Sequence, residues 1–454
     1  MESPALPGFR NYICRRLQFL NMCHLQVPGC IRKLFFFLLV FLAVQLPARS
    51  QFLMDMLDTS KLTNKNLLGI YEKYNYLTII GYMQPQFQVA SEKGARTYAG
   101  PDFAPNSNNR FMLRRGRIRF DYTRFNKDEK ASVQFAFQFD GTERGVNIRD
   151  FWGRVFENRW EVFTLAAGMF ARPFGYEVNL SSIDRESPER GRMSQTLMRT
   201  ERDLGAMVSF EPRRKGHKFA WLKVDAGLFN GQGLTGPAEY DSYKDFIMRA
   251  GVKPQQLTPK IKASAALSFL NGGFMQSSQY IYNMEGGKVV VDSSTANIGS
   301  KAPRRYAGAD MQWEFKHPKS KTVFRAEYWF GKQTSLALIS ETPGGLPPEP
   351  LYTRPFNGAF FYLLHTIGHN QFVVKYDWYD PNTQVSGKDI KAENGFHPAD
   401  IKYNTLGLGY LNYINTNLKA VLWYDIVTNE ASSLPGYTHD LSDNVLTLRL
   451  QFRF

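Results

Sequence analysis

From Leu77 to the C-terminal Phe454 the chain is written in a period of two, in segments about ten residues long. In KASVQFAFQFD, Ala131, Val133, Phe135, Phe137 and Phe139 fall on one face, and Ser132, Gln134, Gln138 and Asp140 on the other. The last segment repeats the pattern. Leu446, Leu448, Leu450, Phe452 and Phe454 face one way, and Thr447, Arg449, Gln451 and Arg453 the other. About ten residues is what a tilted strand needs to cross the hydrocarbon core of a bilayer. Helical periodicity is nearly absent. A soluble β-sandwich would also alternate, but with strands of about five or six residues and an aliphatic core face. Here Phe, Tyr and Trp make up 15% of the chain.

Sixteen segments carry the pattern: 77–89, 111–122, 130–140, 146–156, 160–170, 202–211, 217–229, 244–253, 260–270, 304–316, 321–331, 356–367, 370–380, 402–412, 417–427 and 444–454. Their connections mostly alternate. Long ones at 90–110, 171–201, 271–303, 332–355, 381–401 and 428–443 are separated by short turns such as 123–129, 212–216 and 317–320. The short connection 141–145 alone breaks the beat. Transmembrane barrels have this asymmetry, with long loops outside and short turns in the periplasm. The expected fold is all-β: a transmembrane antiparallel β-barrel of 16 strands over 77–454. The alternative is 18, if SQYIYNMEGGKVVV within 271–303 forms one more hairpin.

The apolar run LFFFLLVFLAVQL, Leu34 to Leu46, follows Arg32-Lys33 and precedes Ala48-Arg49-Ser50. It is too short for the roughly 20 residues of a membrane helix, and small residues lie where signal peptidase cuts. Residues 1–50 therefore read as a signal peptide, with translation starting at Met1 or Met22. Cys14, Cys23 and Cys30 precede the cut, which leaves no thiol for a disulfide, a thiolate metal site or a nucleophile. Cleavage removes six basic residues and one acidic residue, so the formal charge falls from +15 to +10. On an exported chain that surplus points to anionic solutes or anionic lipid headgroups rather than nucleic acid. Residues 51–76, with Leu53, Met56 and Leu57 at helical spacing, read as a periplasmic N-terminal segment.

Several strings, FMLRRGRIRF (111–120), GMFARPFGYE (168–177), RTERDLGAMV (199–208), LFNGQG (228–233), KYDWYDPNT (375–383) and the terminal strand, occur in an order and spacing that resembles the phosphate-selective porin O and P family of Gram-negative outer membranes. The resemblance covers most of the chain after the leader. It implies a homotrimer of sixteen-stranded barrels in outer-membrane lipid, passing small anions, phosphate or polyphosphate among them. Phe454 resembles the signal read by the outer-membrane assembly machinery. No cofactor or metal is implied.

In FMLRRGRIRF, Met112, Ile118, Phe120 and Tyr122 define a lipid face, leaving Arg115, Arg117 and Arg119 on the lumen face. Two residues apart on a strand they stand about 6 to 7 Å from one another, close enough to pass an anion along by exchanging charge-assisted hydrogen bonds. The bland alternative pairs them with carboxylates on adjacent strands, such as Asp140. The same alternation would aim Arg114 at lipid. Further lumen cations are Arg249, Lys262, Arg325, Lys375, Arg449 and Arg453, interleaved with Asp225, Glu327 and Asp377. In 171–201, Arg172, Arg185, Arg190, Arg192 and Arg199 sit among Glu177, Asp184, Glu186 and Glu189. Counted from a periplasmic N-terminus this is the third external loop, the one that folds inward and narrows the pore in general porins. A solvated surface loop is the alternative.

Three patterns are decoys. Gly231, Gly233 and Gly236 spell GxGxxG with no helix after it. His365 and His369 have metal-pair spacing but flank Gly368 in a turn, and Asp377, Asp380 and Asn382 make only half a calcium loop. The leading reading is a passive, water-filled channel favouring anions, not an enzyme. An outer-membrane hydrolase barrel and a non-conducting surface adhesion barrel are the competitors. The refolded protein is expected to be β-rich by circular dichroism and heat-modifiable on gels, and a helix-dominated spectrum would end the barrel reading.

Overall fold

The computed structural model describes residues 76–234 and 239–454. The leader, the segment 51–75 and Gly236 lie outside the described residues. Nine strands come first: β1 (Leu77–Ala90), β2 (Asn109–Phe125), β3 (Ala131–Thr142), β4 (Gly145–Phe156), β5 (Phe163–Ala171), β6 (Arg202–Phe210), β7 (Leu222–Phe229), β8 (Asp245–Thr258) and β9 (Ile261–Met275). After a hairpin of β10 (Ile281–Glu285) and β11 (Lys288–Asp292) come β12 (Lys301–Lys316), β13 (Ser320–Ser335), β14 (Leu351–Ile367), β15 (Asn370–Asp380), β16 (Tyr403–Tyr413), β17 (Leu418–Asn429) and β18 (Val445–Arg453). A short helix α1 (Arg192–Leu197) lies between β5 and β6.

Each strand of the wall pairs antiparallel with its neighbour, and β1 pairs with β18 from Tyr82↔Arg453 to Ala90↔Val445, which closes the sheet. The hairpin expected in SQYIYNMEGGKVVV does form, but β9 pairs directly with β12. The hairpin therefore stays outside the wall, paired to it by a short parallel contact of Ile281–Asn283 with Leu351–Thr353 and packed on it through Ile281 against Ala302. The barrel has sixteen strands. Side chains follow the expected alternation: Leu446, Leu448, Leu450 and Phe452 are exposed on the outer face, while Thr447, Arg449 and Gln451 are buried inside. Phe135, Leu165, Val208, Leu267, Phe330, Leu363 and Phe372 continue the apolar outer face. In hydrocarbon such a wall is stable because every backbone group finds its partner within it.

The structure departs from the sequence reading in several ways besides small shifts of strand ends. The segment expected to start at 217 begins only at Leu222. The His217 ring accepts from the Phe219 amide (3.2 Å), and the amides of Ala220 and Leu222 turn back onto His217 and Phe219. The connection 141–145 shrinks to Glu143-Arg144. Most important, the phase of β2 breaks. Pro85 of β1 has no N–H for the ladder, and opposite it the register jumps from Met83↔Gly116 to Pro85↔Leu113. Met112, expected toward lipid, accepts a hydrogen bond from the lumen side chain of Gln86, and Arg114 turns into the lumen beside Arg115. A second bulge, between Gln138↔Asp150 and Phe139↔Ile148, turns Arg149 inward in the same way.

The seam ends at Phe454. Its N–H donates to Gly81 O (3.0 Å), the Gly81 N–H donates back (3.3 Å), and the Phe454 ring lies where a Gly81 side chain would project. Gly81→Leu should expel that ring, and the heat-modified gel shift should appear at a lower temperature than in the parent. An unchanged transition would mean that the ring contributes nothing to closure.

Candidate functional site

Residues 172–201, between β5 and β6, run into the barrel rather than over it. The entry is fixed by carboxylates that accept backbone N–H groups. Glu327 of β13 accepts from the amides of Tyr176 and Glu177 (2.9 Å each) and from the Trp329 indole (2.6 Å). Glu177 in turn accepts from the Gly191 amide (2.9 Å) and the Ser194 hydroxyl, folding the loop onto itself ahead of α1. Phe174, Met193, Leu197 and Met198 then bury against Phe170, Phe229, Tyr306, Trp329, Phe356 and Tyr379. One side of the lumen is thus a packed apolar core, in addition to the interleaved cations and acids expected from the sequence. Consecutive apolar residues in YWF (328–330) and FFYLL (360–364) are the signal for it, since they put bulk on both faces of a strand.

The tip of the loop is electrostatic. Glu189 meets Arg115 (2.5 Å), Arg114 (2.8 Å), Arg449 (3.1 Å) and Arg185 (3.8 Å). Burial alone would raise its carboxyl, but Arg114, Arg115, Arg449 and Arg185 outweigh that and hold it well below the ordinary carboxylate range. Glu201 is treated alike: burial opposes its charge, and Arg149 (2.6 Å), Arg190 (3.5 Å) and Arg202 (3.7 Å) hold it well below the usual range. Both bulges thus deliver an arginine to a loop acid. Ser182 completes the docking, bonding the Tyr82 hydroxyl (2.6 Å) and Arg117 (2.7 Å), and Lys419 donates to the Ile183 and Arg185 carbonyls.

Arg115, Arg117 and Arg119 do share the lumen face, and each already has a carboxylate partner. Arg117 holds Asp140 at 2.8 Å, and Arg119 holds Asp121 at 2.6 Å and Asp150 at 3.3 Å. Arg249 pairs with Asp310 (2.9 Å), Arg325 with Glu186 (2.7 Å) and Lys375 with Asp377 (2.9 Å). Lys262 lies near the turn end of β9 and has no carboxylate within 4.0 Å among the described residues. In the loop, Arg172 bonds the Thr200 carbonyl and lies 3.9 Å from Asp203. Arg192 is held between the Tyr98 and Tyr403 rings beside Asp443 (3.9 Å), and Arg199 reaches Glu341 (3.3 Å) at the outer surface. Of the decoys, Gly231 donates to Asp203, His365 meets Thr322, and Asn382 donates to Asp400.

The open space lies between the loop and the β2–β9 wall, as two cavities of about 460 and 450 Å³ that share Asn179, Leu180, Ser181, Asp184 and Lys223. Their cations are Arg119, Arg154, Arg202, Lys223, Arg249 and Lys253, and their carboxylates Asp150, Asp184 and Asp225. Arg154 has no carboxylate within 4.0 Å among the described residues; it lies over the Trp152 ring at 5.0 Å. Its shared phase with Asp150 and Trp152 on β4 is the signal in the sequence that marks it as a lumen residue.

A closed sixteen-stranded barrel with an apolar outer face and a loop folded into its lumen is the fold of porins, and it places the chain in the Gram-negative outer membrane. No protein-family model and no curated protein matches the sequence. Among solved structures the chain is similar to the outer-membrane channel DcaP of Acinetobacter baumannii, with a TM-score of 0.50, 11% identity, and 83% of this chain and 97% of that one covered. It is also similar to the anion-selective porin from Comamonas acidovorans (TM-score 0.47, 11% identity, 83% and 99%) and to an OmpT variant of Vibrio cholerae lacking loop L8 (TM-score 0.46, 10%, 83% and 99%).

Glu189→Gln should undock the loop, because it leaves four guanidiniums without their shared anion. Breaking a buried ion pair from one side costs about 3–5 kcal/mol, and the measure is protease cleavage within 172–201 of the folded barrel. A depressed carboxyl contributes its stability fully above the unfolded pKa of about 4.3, and loses it only as pH falls through the much lower folded value. The parent loop should therefore be equally protected at neutral pH and at about pH 5. Cleavage rising over that interval would contradict this account of Glu189.

Proposed function

We propose that the chain is a passive diffusion channel for small anionic solutes. The observation that supports the preference is Arg154, which lines the lumen opening with no carboxylate within 4.0 Å among the described residues, whereas the other cations of the two cavities each have an acid partner. Charge in a narrow, partly desolvated passage acts at a lower effective dielectric than in bulk water, so an unpaired cation there favours anions over cations of the same radius. The 172–201 loop is the constriction in this reading, with Arg185, Arg190 and Arg192 bracing its fold rather than contacting solute. Of the cations expected along the pathway, Arg119 and Arg249 line the opening. Arg115, Arg117, Arg325 and Lys375 hold the loop in place or neutralise lumen acids. The description of DcaP as an outer-membrane channel accords with this function. The trimer, the preference for phosphate or polyphosphate, and the part of Phe454 in assembly rest on the resemblance of the sequence strings.

In a planar bilayer across a KCl gradient, the reversal potential should lie on the anion-selective side. Arg154→Gln with Lys223→Gln should shift it toward cations while conductance in about 1 M salt changes little, because the Debye length there is only about 3 Å. A conducting barrel without ion preference would overturn the anion reading. No conductance at all would favour the hydrolase or adhesion barrel.

A further inference from the structure

We propose that the turn-side rim beneath β4 to β13 is a docking surface for the anionic phospholipid headgroups of the periplasmic leaflet. Four turns, at 157–162, 211–221, 259–260 and 317–319, join these strands at the end opposite the long loops. They expose Arg159, Arg214, Lys215, Lys218, Lys260 and Lys319. None has a carboxylate within 4.0 Å among the described residues, because the acids of the same rim are engaged elsewhere. Glu157 accepts from the backbone of its own turn, including the Trp160 amide at 2.6 Å. Glu161 holds Lys130 (2.7 Å), Glu211 lies between Lys223 (3.4 Å) and Lys253 (3.6 Å), and Glu314 faces Lys321 (3.7 Å).

Two further observations select a lipid surface over a soluble anion. The cations are spread along the edge of the wall instead of converging on a cavity, which suits a planar array of headgroups. Exposed aromatic rings stand among them: Arg159 lies 5.7 Å from the Trp160 ring, which is 61% exposed, and Lys218 lies 4.9 Å from the Phe219 ring. Amphipathic rings beside cations are what a membrane interface accommodates and what water does not favour. The surface is also one-sided. The turns Gly368-His369 and Ile414–Asn417, beneath β14 to β17, carry no Lys, Arg, Asp or Glu. The proposal needs the orientation with long loops outside and is independent of conduction.

The test uses the full barrel folded in detergent and mixed with equal amounts of phosphatidylglycerol and phosphatidylcholine, quantifying the lipid that stays with the protein through gel filtration. The protein should retain phosphatidylglycerol over phosphatidylcholine by about tenfold, since each exposed cation adds favourably near an anionic surface. The preference should vanish in about 1 M NaCl, where screening reaches within about 3 Å. It should also vanish in the variant with all six residues changed to Gln, which remains heat-modifiable because these side chains hold no ion pair. Equal retention of both lipids, or a preference that survives in the variant, would overturn the proposal. Displacement of phosphatidylglycerol by equimolar inorganic phosphate would assign the cations to a soluble-anion site and overturn it as well.

Discussion

A sheet that crosses hydrocarbon cannot have an edge, and the pairing of β1 with β18 is what removes it. Once the seam is closed, the period of two has a single geometric meaning: every other residue belongs to the bilayer and the rest to the lumen. The tightest test of that division is at the seam itself. There Gln84 and Gln451 bond across the two strands inside the barrel (2.7 Å), while the Phe454 ring covers Gly81 at its end.

Much of this was legible in the sequence because it follows from local alternation. The number of wall strands, the beat of long loops and short turns, and the common face of Arg115, Arg117 and Arg119 need only the period of two. What the sequence reading missed depends on a partner strand. The phase of β2 is reset by Pro85, a residue of β1, so neither the lumen position of Met112 nor that of Arg114 could be read from FMLRRGRIRF alone. Arg149 was hidden by the corresponding bulge on β4. The charge-rich loop was visible as a pattern. Its acids gain a destination only in three dimensions, where Glu189 meets arginines that lie 75 residues before it and 260 after it.

The two halves of the lumen follow different physics. On one side Phe174, Trp329, Tyr306 and Phe356 exclude water as a soluble core does, and the buried Glu189 and Glu201 stay charged because several guanidiniums surround each one. On the other side Arg154, Lys223 and Lys253 line open cavities, with side chains partly exposed to whatever passes. The rigidity of the first half makes the geometry of the second dependable. A loop held at Glu327, Ser182 and Glu189 keeps its wall of the two cavities in place through buried contacts.

The placement of those contacts bears on how the barrel is built. From inside the lumen, the loop grips β1 through Ser182 and Gln84, β2 through Arg114 and Arg115, β17 through Lys419 and β18 through Arg449. These strands lie on both flanks of the seam and come from opposite ends of the chain. A growing, still open sheet has only half of that grip to offer, so the anion at the loop tip cannot reach its full set of cations until the last strand has joined the first. Filling the lumen and sealing the wall thereby depend on the same contacts, and those contacts join residues far apart in the chain, whose pairing carries a high loop-closure cost.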